Sequence, residues 1–126
     1  MSLRTPLSKA RGLGSAKDGV GHFIGQRATA IANIPLVTCF LVSVVLYGAA
    51  DYETARAYLA HPVVTILMGL FFVSIFNHMR LGLQVIIEDY VANDGSRLAL
   101  VLLVNFAAFA AVFSSLFCLA RISFAG

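Results

Sequence analysis

Residues 62–90 read "PVVTILMGLFFVSIFNHMRLGLQVIIEDY", and this run decides the fold. A bilayer core about 30 Å thick needs about 20 apolar residues in a helix that rises 1.5 Å per residue. The stretch from Pro62 to Ile87 is long enough, and it closes on Glu88, Asp89 and Tyr90. Two other stretches meet the same length, one from Ala28 to Gly48 and one from Leu98 to Ile122. Polar segments separate them: "AADYETARAYLAH" at 49–61, and "EDYVANDGSR" at 88–97, which carries an Asn-Asp-Gly turn signal. The expected fold is therefore an all-α integral membrane domain over 28–122, with spans at 28–48, 62–87 and 98–122. Short connections make neighbouring spans antiparallel.

Composition agrees. Of 126 residues, 60% are hydrophobic and 12% charged, with mean hydropathy +0.88, which is too apolar for a soluble domain of this size. The formal charge of +3 does not point to nucleic acid, because the basic residues gather in a tail beside a membrane segment. Cys39 and Cys118 stand alone in apolar stretches without CxxC or HxxxH spacing, so they are expected to pack as small hydrophobes.

Residues 1–27 hold Arg4, Lys9, Arg11, Lys17 and Arg27 and are expected to form a loosely ordered tail ending at the interface. They do not read as a cleavable signal, since the apolar segment that follows is full length and has no small-residue cleavage site. With three spans, the tail and Arg97 share one side, whereas the other side carries only Arg56 and Arg121. The excess of positive charge makes the N-terminal side cytoplasmic. Tyr47, Tyr52 and Tyr58 are then expected at the outer interface and Tyr90 at the inner. Pro35 removes one backbone hydrogen bond from the first span and is expected to kink it.

His78 lies nine residues before Ile87, about 14 Å along a helix and close to mid-membrane. An ionisable side chain at that depth faces the bundle interior, where it ligates a metal, relays protons or contacts substrate; the plain alternative is a neutral imidazole bonded to a neighbouring helix. At 100° per residue, Ser74, Gly82, Val85 and Asp89 share its stripe. Gly82 leaves a notch through which a flat macrocycle can approach the backbone, although glycine also serves close helix packing. His61 and His22 lie outside the spans, so a six-coordinate haem needs its second ligand from another polypeptide. Asp89 and Tyr90 place a carboxylate beside a phenol at the interface, a combination suited to a quinone headgroup. An ordinary loop acid and a belt tyrosine would look the same. Arg27 is positioned to meet Asp89, a haem propionate or a lipid phosphate. Arg80 points about 200° from His78 and must snorkel or find an acid in a partner.

The pattern HxxxGxxxxxxDY, fitted by His78, Gly82, Asp89 and Tyr90, resembles the signature of the small membrane-anchor family of succinate dehydrogenase. "GHFIGQRATAIANIPL", residues 21–36, resembles the opening of the first helix in bacterial members. The cytochrome b sister family has a similar plan, but its Ser-Pro-His-Leu and His-Arg-x-Thr-Gly elements do not occur here. The resemblance implies a haem-binding helical bundle shared with a cytochrome b subunit, with His78 as one axial ligand to haem b iron and Gly82 beside the ring. It also implies that Tyr90 and Asp89 contact ubiquinone and that Arg27 lies near the haem propionates. An iron-sulfur subunit and a flavoprotein subunit would complete the complex, and succinate would bind elsewhere. A bacterial inner membrane fits the short tail better than a mitochondrial one. Two rivals remain: a small transporter or proton-conducting subunit, and a structural assembly subunit without haem.

Overall fold

The structure, a computed structural model, describes Pro6 and residues 16–124, with side chains from Val20 onward. Four helices make up the elements of the described residues: α1 (Ala16–Tyr47), α2 (Tyr52–Ala60), α3 (Pro62–Tyr90) and α4 (Asp94–Phe124). Three are long and apolar enough to cross a membrane: Val20–Tyr47 of α1, and the whole of α3 and α4. α3 is the middle helix: it packs against both α1 and α4, which do not touch each other.

Local chemistry explains where the helices begin and end. His61 ends α2 and caps α3: its N–H donates to Tyr58 O at 3.2 Å, and its Nδ1 accepts from Val63 N at 3.3 Å. Pro62 then starts α3 at a position that needs no backbone donor. Asp51 caps α2 by accepting from Thr54 N at 3.3 Å and from its hydroxyl. These Thr54 bonds, side chain first, hold the Asp51 carboxyl below the usual carboxylate range. Asn93 Oδ1 accepts from Ser96 N at 2.9 Å and opens α4.

Several expectations are corrected here. Helix α1 begins at Ala16, so residues 16–27 belong to it and not to a loose tail; residues 1–15 apart from Pro6 lie outside the described residues. The polar residues that mask this helix in a hydropathy reading, His22 and Gln26, fall a turn apart on one face. The 49–61 segment contains helix α2. The Asn-Asp-Gly signal is a helix start, with Asp94 and Gly95 in the first turn of α4. Tyr58 is half-buried: its ring stacks on Tyr47 at 3.9 Å and its hydroxyl lies 2.6 Å from Ser43 Oγ.

The core runs along α3. Met68, Phe71, Leu81 and Ile87 are buried there, with Ala108 and Leu119 of α4. Phe40 of α1 stacks on Phe71 with centroids 4.6 Å apart. Outside this seam the surface is apolar: Val45, Ile34, Phe106 and Phe109 are all exposed. Each such side chain left in water forgoes about 1.5–3 kcal/mol, and a dozen of them exceed the 5–15 kcal/mol by which ordinary domains are stable. The outer surface is therefore suited to lipid or to other membrane helices.

Candidate functional site

α1 carries a polar stripe at His22, Gln26, Thr29 and Asn33, spaced four, three and four residues apart, which keeps them on one helix face. That face meets α3. Ser74 Oγ donates to the buried Asn33 Oδ1 at 2.7 Å. One turn along, Thr29 Oγ1 lies 3.0 Å from His78 Nδ1. Another turn along, Gln26 lies beside Gly82, where an added Cβ would meet only the Gln26 amide nitrogen, at 3.7 Å.

The Thr29 contacts favour one tautomer of the imidazole. Thr29 Oγ1 also lies 2.8 Å from Gly25 O and 3.1 Å from Gln26 O, and carbonyl oxygens can only accept. The Gly25 carbonyl is the nearest acceptor for the single hydroxyl proton. A lone pair of Oγ1 then faces His78 Nδ1, which carries the ring hydrogen, leaving Nε2 as the nitrogen with a free pair. His78 Nε2 makes no hydrogen bond among the described residues and is not sealed inside the chain as His22 Nε2 is. This is how a histidine is arranged to offer one nitrogen to a metal while the other is fixed by a neighbour. No three metal-ligating side chains gather among the described residues, so a metal at His78 would draw its remaining ligands from elsewhere.

Toward the Tyr90 end of the bundle the seam opens into a cavity of about 770 Å³ between α1 and α3, with His22, Gln26, Gly82, Gln84 and Glu88 on its walls. His22 Nε2 and Gln26 Oε1 are buried there without a partner. Each buried polar atom without a partner costs about 1–3 kcal/mol. Hydropathy alone does not mark either residue, whereas continuing the helical spacing back from Thr29 reaches both.

The remaining site residues stand apart. Arg27 is exposed, with its guanidinium carbon 5.4 Å from the centre of the Phe23 ring, and it does not pair with Asp89. Asp89 is exposed and Tyr90 is 84% exposed, with no hydrogen bond between them. Neither lines the cavity bounded by His22 and Gly82. Arg80 finds acceptors within the chain. It donates to Asn77 Oδ1 from Nε at 3.2 Å and Nη2 at 2.8 Å, and to Asn105 Oδ1 of α4 from Nη1 at 2.9 Å.

Comparison with known proteins agrees with this architecture. The profile of the succinate dehydrogenase/fumarate reductase transmembrane subunit family matches residues 1–112. The chain is 28% identical over 117 residues to the succinate dehydrogenase hydrophobic membrane anchor subunit of Paracoccus denitrificans, covering 93% of this chain and 90% of that one. It is 30% identical over 102 residues to the protein of the same name from Rickettsia bellii (strain RML369-C), covering 81% and 82%. Three apolar spanning helices and a match over most of the length lead to one conclusion: the chain belongs to the succinate dehydrogenase/fumarate reductase transmembrane subunit family.

Proposed function

We propose that this chain is the hydrophobic membrane anchor subunit of a succinate:ubiquinone oxidoreductase in a bacterial inner membrane, with its N-terminal side cytoplasmic. It would hold the flavoprotein and iron-sulfur subunits at the membrane, and His78 Nε2 would bind the iron of haem b. The second ligand comes from the cytochrome b subunit. The chain does not bind succinate.

The observation that carries this reading is the Thr29–His78 contact of 3.0 Å, because a neighbour held against Nδ1 leaves Nε2 as the nitrogen available to a metal. The surroundings fit the group: Gly82 leaves backbone open one turn from His78, and it borders a cavity shared with α1. Haem, when bound, supplies one-electron transfer near the quinone site. Thr29 holds the imidazole in one tautomer and orientation. The exposed Tyr90 hydroxyl, which has no partner among the described residues, is available to donate to a ubiquinone carbonyl, with Asp89 beside it to exchange protons with water. Arg27, exposed on the next face of α1, is free to meet a haem propionate, the quinone pocket or lipid.

A proton-conducting subunit would need the polar seam to continue. It stops at Asn33, and the next polar residue on that face, Ser43, is ten residues and about 15 Å further, beyond the Phe40–Phe71 stack. The test is a reduced-minus-oxidised spectrum of the assembled complex. A haem b signal that disappears in His78→Ala supports the proposal, and an unchanged signal removes haem ligation from it.

A further inference from the structure

Arg80 keeps a full positive charge inside a membrane span, and we infer that this charge raises the reduction potential of the haem assigned to His78, an inference that rests on that assignment. Every acceptor the guanidinium meets in the chain is neutral: Asn77 Oδ1 takes Nε at 3.2 Å and Nη2 at 2.8 Å, and Asn105 Oδ1 takes Nη1 at 2.9 Å. An amide supplies a dipole and no counter-charge, and a guanidinium does not lose its proton. The bonds therefore fix the position of the charge and leave it whole. Residues 20–47, 62–87 and 95–124 contain no Asp or Glu. The next acid along α3, Glu88, is eight residues and about 12 Å further. It is exposed and accepts from Gln84 Nε2 at 2.9 Å. Arg27, by contrast, is exposed on α1, where an outside anion can reach it.

Arg80 is half-buried between α3 and α4, against a cavity of about 480 Å³ whose other walls include Val73, Ala108, Phe109, Val112 and Phe113. Apolar walls in an apolar bilayer keep the dielectric low and exclude salt, so a unit charge there acts over a longer range than at a wet surface. His78 and Arg80 are two residues apart, about 3 Å along the helix and 200° around it. The imidazole meets α1 through Thr29, and the guanidinium meets α4 through Asn105. The charge thus stands across α3 from the imidazole, at about one helix diameter, 10–12 Å. It acts by its field and needs no contact with the macrocycle. Ferric haem carries one more positive charge than ferrous haem, so a fixed cation nearby disfavours the oxidised state and makes the haem easier to reduce.

The experiment is potentiometric titration of the assembled complex, read from the haem b spectrum, with thermal unfolding as the control for packing. Arg80→Gln removes the charge. Asn105→Asp cancels it in place, because a carboxylate against a guanidinium stays ionised. Both should lower the midpoint potential, and by similar amounts; where Arg80→Gln fails to assemble, Asn105→Asp decides alone. Arg80→Lys keeps the charge, and Asn105→Leu removes a hydrogen bond without altering it. Both should titrate as the parent does, even where the unfolding temperature falls. A parent potential in Asn105→Asp overturns the inference, as does a fall in Asn105→Leu equal to that in Asn105→Asp, which would trace the effect to packing. A parent complex without haem overturns the His78 assignment and this inference together, whereas a normal haem spectrum with an unmoved potential overturns the inference alone.

Discussion

Arg80 Nη1 of α3 donates to Asn105 Oδ1 of α4 at 2.9 Å, tying a guanidinium to a neutral amide ten residues, about 15 Å, from the Tyr90 end of its helix. The charge is dispersed by Asn77 and Asn105 and not cancelled by a carboxylate among the described residues. Asn105 is held in turn, since its Nδ2 donates to Val101 O at 2.8 Å.

Asn105→Leu should therefore destabilise the α3–α4 pair by about 1.5–3 kcal/mol, the usual cost of removing a hydrogen bond to a charged group. Arg80→Met, which removes the charge together with its need for acceptors, should cost less. Thermal unfolding of the purified complex in detergent compares the two, and the reverse order would show that the amides do not solvate the arginine.

Thr29 should act on haem through orientation. Thr29→Val keeps the shape and removes the acceptor for His78 Nδ1–H, so haem retention falls about fivefold, as expected for one hydrogen bond of about 1 kcal/mol. Thr29→Ser should restore it. Haem-to-flavin ratios in the three complexes decide, and a valine variant that retains haem as the parent does would remove Thr29 from the ligand's support.

Gly82 separates folding from ligand access. An alanine Cβ there meets only the Gln26 amide, at 3.7 Å, an ordinary contact, so Gly82→Ala should insert and assemble normally. Gly82→Phe fills the space beside His78 and should abolish the haem spectrum while the chain still reaches the membrane. Membrane immunoblots beside difference spectra check this, and full haem in the phenylalanine variant would contradict the notch.

Tyr90→Phe should lower quinone reduction about tenfold or more, in the range of a lost transition-state donor, while leaving haem content unchanged. Steady-state assays with a soluble quinone analogue provide the measurement. Activity equal to the parent would place the quinone elsewhere.

Helix α2 should be acid-sensitive. The Asp51 carboxyl is held below its ordinary value of 3.8 by Thr54, so the stabilisation it gives the cap is present above that value and is lost as pH falls through the lower folded one. Amide exchange in residues 52–60 should therefore quicken only at strongly acidic pH, beyond the intrinsic pH dependence of exchange, and Asp51→Asn should flatten the response.

The spans were legible because about 20 consecutive apolar residues admit few other solutions in or out of water. His78 and Gly82 were legible because imidazole and glycine stand out in such a run. The start of α1 was not, since hydropathy averages His22 and Gln26 with their apolar neighbours and hides that both face α3. Helix α2 depends on one cap, Asp51 to Thr54, which a composition reading passes over as a polar loop. Thr29 was invisible for another reason: nothing in the order of residues says that a threonine on one helix meets a histidine 49 positions later. The acceptors of Arg80 were hidden in the same way, Asn105 lying 25 positions along on a separate helix.

The central claim is that His78 presents Nε2 to iron held between this chain and another. A density map of the assembled complex tests it most directly. The account predicts a porphyrin beside Gly82 with its iron within bonding distance of His78 Nε2 and a second histidine from the cytochrome b subunit opposite. A His78 ring that faces acyl chains, or packs against protein with no porphyrin in reach, would contradict it.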